Sequence, residues 1–547
     1  MALLYTIVQK IVKKDWHFFW AITIVLMLVV SVPYLLAVWW TPVGQVYTGL
    51  HALAPVDNSV YYSYIQQIAD GNFLIRDLYT SEPQSLGVFN LAWWLVGTIA
   101  KIFSLTPPLA YHLARILLVP FLTLSVWLFV SLSFTDSRRR RTAFALATFA
   151  AGWGIWLVGL LPVATYSGEG AFHTSPIDVW LTHPFVFHTA LQSPHNVLSL
   201  GLQIFGLLFT LMAFKSGKVK YGVVAGLAFA AWLNFHPYFA PFLGAVLLLF
   251  TVWTAMFEYK KLGRVVGLSA LIGAMSAASV FYHLSLLKDS PLLATRGAQN
   301  ITLLPSPIYW FFGLGFVAIL AVYGVYIWLR KYNIKLDQTK LMVMAWVAAS
   351  LILAVYPSQF QARYLQGIMI PLAVLATVGL TPLVDRWRAK IKRFDFKIVA
   401  PILFVLLFVG TNFFVVGRDL IIFKKYPHYV YQPKEFVEAA IWVKENISNV
   451  GEEAIILTRS TDGLFLVGYA ARKVWVGHPH ETLDFKRKEA VTEKFFGDQD
   501  FSDRKEFLEK ENVNYIFTTD KEIDWEVFEY LEQAYSNELV KIYQVEE

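Results

Sequence analysis

The chain has 547 residues, of which 56% are hydrophobic and 16% charged, and its mean hydropathy is +0.50. This composition excludes an ordinary soluble protein and predicts a polytopic α-helical membrane protein. Cysteine is absent, which excludes disulfides, thiolate metal sites and a cysteine nucleophile. The formal charge of +7 comes from short basic clusters between apolar runs, where membrane orientation explains it better than nucleic acid. We therefore expect no nucleic-acid partner.

Apolar runs long enough to cross a bilayer recur along the chain, and the first, at 17–40, is too long for a signal peptide. The others lie at 109–134, 142–162, 196–215, 221–236, 238–257, 265–285, 308–329, 341–356, 364–384 and 398–416. Together they predict about eleven spans. A cytoplasmic N-terminus then puts basic loops such as "SRRRR" (137–141) and "DRWRAKIKRFDFK" (385–397) on the cytoplasmic side.

The apolar segment 87–103 is only just long enough to span. Counting it as a span would put the arginines of 138–141 outside, so we interpret it as a helix along the outer interface, with Trp93 and Trp94 at headgroup level. The first external loop is then large, at 41–108. Later external loops lie at 163–195, 286–307 and 357–363.

Everything after about 417 is predicted to lie outside, and from Tyr426 onward the composition is that of a soluble domain. "EFVEAAIWVKEN" predicts an amphipathic helix, and "AIILT", "KVWVG" and "NYIFTT" predict strands. The predicted organisation is a membrane module at 1–416 and an extracytoplasmic α/β domain at 417–547. In that domain "VWVGHPHETLDFKRK" places His478, His480 and Glu481 after a strand, which we interpret as the approach to a capped helix rather than as a catalytic group.

Ionisable residues concentrate in the first two external loops. Asp57, in "PVDNSVYYSYIQQIA", fits either a helix N-cap or a general base at the lipid surface. The second loop offers carboxylates and imidazoles that could bind a divalent metal: Glu169, His173, Asp178, His183, His188 and His195. Their spacings match no zinc-binding helix, apart from a loose pair formed by His183 and His188.

The first external loop resembles a known pattern. "VDNSVYYSYIQQIADGNF" and "LYTSEPQSLGVFNLAWWLVGTIAKIFSLTPPLAYHLARILL" resemble the first loop of the GT-C superfamily of integral-membrane glycosyltransferases, such as protein mannosyltransferases and the aminoarabinose lipid A transferase. The matching positions are Asp57, Tyr61, Tyr62, Gly71 to Phe73, Glu82, Pro83 and Arg115. The chain departs at Asn58, where many members have a second acid, and at Gln84, where related transferases have a basic residue.

The resemblance implies a GT-C-like fold and transfer of a sugar from a polyprenyl-phosphate donor to a hydroxyl of a glycan, lipid or protein acceptor. It implies inversion, with Asp57 as general base and Glu82 as a second catalytic candidate. Some GT-C oligosaccharyltransferases use second-loop acids to hold a metal, so Mg²⁺ or Mn²⁺ stays open as a cofactor. Tyr61 and Tyr62 become candidates for substrate binding.

The leaving phosphate needs cationic or hydrogen-bonding partners at the membrane surface. The candidate arginines are Arg115, Arg296 and Arg363, of which Arg363, followed by Tyr364, is favoured because it lies on a short outside loop. Each also fits a residue that anchors a span end. Further candidates are His195 and Asn196 in "SPHN" and His236 in "NFHPYF", which could equally be packed side chains.

Two other functions stay open. A lipid-linked glycan polymerase or ligase would share the topology, but it would depend on a histidine or arginine and tolerate loss of Asp57. A transporter or flippase ranks last because the apolar runs contain almost no charged residues.

Overall fold

A computed structural model describes most of the chain. The described residues are 12–53, 55–84, 87–157, 175–299, 301–331, 337–390, 396–425, 427–448, 454–497, 504–520 and 523–546.

Within these ranges, nine helical segments are long and apolar enough to cross a membrane. They are Lys13–Trp39, Pro107–Ser133, Pro194–Ser216, Pro237–Phe257, Tyr259–Asp289, Pro307–Arg330, Gln338–Val355, Met369–Ala389 and Val399–Lys425. Each coincides with a predicted apolar run. The chain is therefore a polytopic helical membrane protein.

The two remaining predicted spans correspond to shorter elements. The run at 221–236 forms the helix Val219–Phe235, and the run at 142–162 begins within the helix Ser137–Phe149 and continues beyond the described residues. Asp136 starts that helix by accepting a hydrogen bond from the backbone of Arg139. The other helices are Pro55–Ala69, Leu91–Phe103, Gly154–Leu157, Ile177–Trp180, Val186–Gln192, Pro291–Gln299, Pro427–Val430, Lys434–Asn446, Ser460–Ala470, Phe485–Gly497 and Arg504–Lys510.

The chain divides into two compact units. The first, here called the helical unit, comprises Met1–Pro33, Arg115–His283 and Asn300–Arg418. The second, here called the mixed unit, comprises Tyr34–Ala114, Leu284–Gln299 and Asp419–Glu547. The mixed unit therefore contains the whole of the predicted first external loop as well as the C-terminal sequence. The boundary at 416 between a membrane module and an outer domain stays a prediction.

Glycines allow close helix packing in the helical unit. A Cβ atom on Gly324 would lie 2.0 Å from the carbonyl oxygen of Leu375, and one on Gly379 would lie 2.3 Å from that of Leu320. Only glycine permits such an approach, which matches the small-residue contacts that bring helices together in membranes.

The mixed unit contains two sheets. β1 (Gln45–Tyr47) pairs antiparallel with β2 (Tyr431–Pro433), joining the start of the first loop to the C-terminal sequence. A four-stranded sheet has the order β3-β4-β6-β5, formed by β3 (Ile455–Leu457), β4 (Val513–Thr518), β5 (Leu531–Ser536) and β6 (Lys541–Val545). β3 and β4 are parallel, whereas β6 is antiparallel to both β4 and β5.

Helices of the first loop pack within the mixed unit. Gly97 of the helix Leu91–Phe103 lies so close to the helix Pro55–Ala69 that a Cβ atom there would be 2.5 Å from the Cβ of Ile68. The helix Pro55–Ala69 also packs against the helix Ser460–Ala470, where Gly468 lies close to Ser59. The first loop and the C-terminal sequence therefore share one hydrophobic core.

Candidate functional site

Two groups of polar side chains, one in each unit, contain several of the predicted site residues. The first, in the mixed unit, is centred on Asp57. This residue lies in the first turn of the helix Pro55–Ala69, where the partial positive charge of the helix N-terminus favours a carboxylate. Its side chain is 44% exposed, so a substrate hydroxyl can reach it.

His478 faces this carboxylate. Its Nε2 atom lies 3.7 Å from Oδ1 of Asp57, somewhat beyond a normal hydrogen bond, and its side chain is 1% exposed. Burial by itself would raise the pKa of Asp57, but the side-chain contact with His478, together with His51 and His480, holds that pKa below its usual value. Asp57 is therefore ionised at neutral pH.

The tautomer of His478 follows from its other nitrogen. Nδ1 accepts hydrogen bonds from the backbone N–H groups of His480 at 3.1 Å and of Glu481 at 3.2 Å. An atom that accepts cannot also carry a proton, so the proton of the neutral ring is on Nε2. His478 thus points an N–H group at Asp57.

Glu82 is occupied by partners from the C-terminal sequence. Its carboxylate is 2.8 Å from Nζ of Lys488 and accepts a short hydrogen bond from Thr80. Burial would raise the pKa of Glu82, but Lys488 and Thr80 hold it below its usual value. Lys488 is 1% exposed and also donates to Ser81. These contacts fasten the first loop, and a catalytic role for Glu82 stays a prediction.

The aromatic residues of the first-loop motif form packing contacts. The Tyr61 ring stacks on Trp93 with centroids 4.7 Å apart, and the Tyr62 hydroxyl donates to the carbonyl of Gly49 at 2.7 Å. The Trp93 ring is 3% exposed and covered by this stack, and its position at headgroup level stays a prediction. Substrate binding by Tyr61 and Tyr62 stays a prediction.

The second group lies in the helical unit. We call it the basic cluster and define it as His183, His195, His236, Arg363 and Tyr238. Nη1 of Arg363 donates to the Tyr238 hydroxyl at 2.7 Å, and its guanidinium lies over the Tyr238 ring at 4.5 Å. The rings of His195 and His236 have centroids 5.3 Å apart.

Burial and positive charge keep two histidines of this cluster, His183 and His236, neutral. Burial, followed by the charges of Arg363 and His195, lowers the pKa of His183 to about 3. Burial also lowers the pKa of His236 well below its usual value, and His195, Arg363 and His183 add to the effect. The cluster therefore combines the permanent positive charge of Arg363 with the neutral imidazoles of His183 and His236, which suits the binding of an anion.

Ser199 fixes the orientation of His236. Its oxygen accepts hydrogen bonds from Nε1 of Trp232 at 2.8 Å and from Nε2 of Gln366 at 3.0 Å. Its one hydroxyl proton is then donated to Nδ1 of His236, 2.8 Å away. The proton of the His236 ring is therefore on Nε2. Sequence reasoning missed Ser199 and Gln366, because hydroxyl and amide residues inside apolar runs give no distinctive pattern.

The other candidate substrate-binding residues have different surroundings. Arg115 is 1% exposed and donates to the backbone carbonyls of Val30 and Ala190, an arrangement that favours a structural role. Arg296 lies in the helix Pro291–Gln299. Tyr364 is buried, which raises its pKa, and Asn196 lies in the first turn of the helix Pro194–Ser216.

The second-loop residues considered as metal ligands are dispersed. Asp178 is fully buried; one oxygen accepts from the backbone of Gly154 at 3.0 Å, and burial raises its pKa to about 7. His188 contacts Asn412 at 3.1 Å rather than joining His183. Glu169 and His173 lie outside the described residues. Among the residues described, no three histidine or carboxylate side chains are grouped so as to hold a metal.

Comparison with known proteins gives a structural likeness. No family model and no curated protein matches the chain. The oligosaccharyltransferase of Archaeoglobus fulgidus, solved with a tethered acceptor peptide, is 14% identical, with 93% of this chain and 69% of that chain covered at a TM-score of 0.54. Its apo form is 15% identical, with 93% and 70% covered at 0.53.

A further structure of that archaeal enzyme, in complex with an inhibitory peptide and a dolichol-phosphate, is 15% identical to this chain, with 92% and 69% covered at a TM-score of 0.52. At such identities the likeness concerns the fold. The fold is that of GT-C membrane glycosyltransferases, which confirms the fold implied by the first-loop motifs. The chain is accordingly an integral membrane protein with a GT-C-like fold.

Proposed function

We propose that this protein is a membrane glycosyltransferase that moves a sugar from a polyprenyl-phosphate donor to an acceptor hydroxyl. The observation that carries the proposal is the fold, which is shared with an oligosaccharyltransferase solved both with an acceptor peptide and with a dolichol-phosphate. Fold alone does not define a reaction, so the proposal also depends on the chemistry of the two groups of side chains.

Asp57 is the proposed general base. The acceptor oxygen attacks the anomeric carbon while its proton passes to the Asp57 carboxylate, and the bond from that carbon to the phosphate oxygen breaks with inversion. A carboxylate whose pKa is lowered stays ionised and accepts the proton only as the attacking hydroxyl becomes acidic in the transition state. Its partial exposure supports this role.

The basic cluster is the proposed binding site for the donor phosphate. A phosphodiester carries one negative charge, which the Arg363 guanidinium can balance, and the N–H of His236 can add a hydrogen bond. The leaving phosphate keeps the electron pair of the broken bond, so the same groups would stabilise the product. This interpretation favours Arg363, His195 and His236 over the buried Arg115.

The described residues do not fit a metal centre. A fourth structure of the archaeal enzyme, at a TM-score of 0.50, contains Zn and sulfate. In this chain Asp178 is fully buried, and Asp57 faces an N–H group of His478 where a second metal ligand would have to be an acceptor. The proposed reaction therefore uses side chains of the protein alone. A need for Mg²⁺ or Mn²⁺ stays a prediction that chelation can test.

The proposal also includes the orientation of the chain in the membrane and the class of acceptor. We expect the N-terminus in the cytoplasm and the C-terminal α/β region outside, with a glycan, lipid or protein as acceptor. A lipid-linked glycan ligase is the second candidate. Its support is the likeness to an enzyme named for the transfer of an oligosaccharide.

The test is transfer of a radiolabelled sugar from polyprenyl phosphate by purified protein. We expect Asp57→Asn to lower kcat by about 100-fold or more, because a general base contributes factors of that size, while donor binding is retained. The matched control is Asp70→Asn, since Asp70 follows the same helix and pairs with Gln66. Unchanged transfer by Asp57→Asn, with loss of transfer in variants of the basic cluster, would favour the ligase.

A further inference from the structure

The turn that carries His478 is fastened to the first loop. The backbone N–H groups of Gly477 and His478 donate to Oγ1 of Thr482, at 3.1 and 3.2 Å. That hydroxyl donates in turn to the carbonyl of Tyr79 at 2.6 Å. The backbone of Val474 also donates to the carbonyl of Leu78 at 2.9 Å. The position of His478 relative to the first loop is therefore set by several bonds within the mixed unit.

The ring itself has little freedom. It is 1% exposed, it packs edge-on against the Tyr79 ring with centroids 5.6 Å apart, and its Nδ1 is held by two backbone N–H groups. Nε2 is buried and has no hydrogen-bond partner within 3.5 Å among the described residues. The Asp57 carboxylate lies 3.7 Å from it. A buried donor without a partner is unfavourable, so closure of this gap is favourable.

We propose that His478 is a positioning residue for Asp57: its Nε2–H donates to the Asp57 carboxylate and holds it in the orientation needed to take the acceptor's proton. The inference rests on the proposed function and deepens it, because it gives the C-terminal region a part in catalysis. His478 cannot be the base, since its Nε2 carries the proton and its Nδ1 is occupied by two donors.

The geometry explains why such a residue is needed. Asp57 is half exposed, and an unrestrained carboxylate would sample several rotamers; a misplacement of about 1 Å can cost two orders of magnitude in rate. Hydrogen bonds around catalytic groups often shorten when the substrate binds, which would close the 3.7 Å separation. The other titratable groups that bear on Asp57 are His51 and His480.

Two substitutions separate the proposed role from a structural one. In His478→Asn the amide oxygen takes the place of Nδ1 and keeps the two backbone hydrogen bonds, but no donor reaches Asp57. In His478→Gln an amide N–H takes the place of Nε2 and can still donate to Asp57. We expect the Asn variant to lower kcat by about 10- to 100-fold with little change in donor KM, and the Gln variant to recover much of that loss.

The pH profile gives a second readout. Because His478 lowers the pKa of Asp57, its removal should raise that pKa, so the acid limb of kcat/KM should move to higher pH in His478→Asn. In an Asp57→Asn background the same change should have no further effect on kcat. The control is His428→Asn, at an exposed histidine of the same unit, which should keep the wild-type profile.

Cysteine cross-linking tests the contact without any assay of transfer. The chain has no cysteine, so Asp57→Cys combined with His478→Cys gives one defined pair, and we expect a short bifunctional thiol reagent to join it. If the wild type transfers sugar but the double-cysteine variant forms no cross-link, the positioning role of His478 is overturned and the proposed function stands. An unshifted acid limb in His478→Asn has the same meaning. A cross-link in the double-cysteine variant, combined with no sugar transfer by the wild type, overturns the proposed function and with it the catalytic role of His478.

Discussion

The two units use histidine in opposite electrostatic settings. In the mixed unit His478 faces a carboxylate and is oriented by backbone N–H donors, whereas in the helical unit His183 and His236 face Arg363. The first setting lowers the pKa of an acid, and the second lowers the pKa of the histidines themselves. The role of a histidine is thus defined by its neighbours: one set suits proton transfer at a carboxylate and the other suits anion binding.

The largest expected effect is that of an Arg363 substitution on donor binding. Arg363→Lys keeps the charge but loses the fork that reaches both Tyr238 and Thr302. We expect donor KM to rise by about 10- to 100-fold, because a charge-assisted hydrogen bond is worth about 1.5–3 kcal/mol, while kcat at saturating donor changes little. Steady-state kinetics with varied donor measures it.

Arg330→Lys is the matched control for Arg363, since Arg330 also lies over a tyrosine ring, Tyr326. It should leave donor KM unchanged. Equal donor KM in the wild type and Arg363→Lys would show that the basic cluster does not bind the donor.

The next effect concerns the attachment of the first loop. Lys488→Met leaves the carboxylate of Glu82 without its partner, and we expect the free energy of unfolding to fall by about 1–3 kcal/mol, moderated because Glu82 is one-third exposed. Thermal unfolding in detergent measures it. Lys486→Met, at an exposed position of the same helix, should change stability by less than about 0.5 kcal/mol. Equal losses would mean that the pair does not fasten the loop.

The smallest expected effect is the pH dependence of donor binding by the basic cluster. A bound anion offsets the burial and positive charge that lower the pKa of His183 and His236, so binding should be accompanied by proton uptake. Donor affinity should therefore rise as pH falls from about 8 to 6, by less than about 10-fold. A phosphodiester does not titrate in this range. Isothermal titration calorimetry in buffers of different ionisation enthalpy measures the uptake, and His183→Asn should reduce it.

The membrane architecture was predictable from sequence because hydropathy is a local property. Each of the nine long apolar helices coincides with a predicted run, and the helix Lys434–Asn446 coincides with its amphipathic pattern. β5 was missed because its sequence is largely polar and partly exposed, and β6 because its buried residues Ile542 and Tyr543 are adjacent rather than alternating. "KVWVG" contributes only an isolated bridge at Val474 among the described residues.

The candidate sites were less predictable because their contacts are distant in sequence. Asp57 and Arg363 could be named from motif and position, but nothing local indicates that His478 faces Asp57 or that Lys488 pairs with Glu82. The His478 segment was interpreted as the approach to a helix, and the helix Phe485–Gly497 does follow it. Only the folded mixed unit shows what else the segment contacts.

The most direct test of the two proposed roles measures kcat and donor KM for Asp57→Asn and Arg363→Lys side by side with the wild type. We predict that Asp57→Asn lowers kcat with donor KM unchanged, and that Arg363→Lys raises donor KM with kcat largely retained. The reverse pattern, or a kcat of Asp57→Asn equal to that of the wild type, would contradict the assignment of the base and donor-binding roles to these two groups.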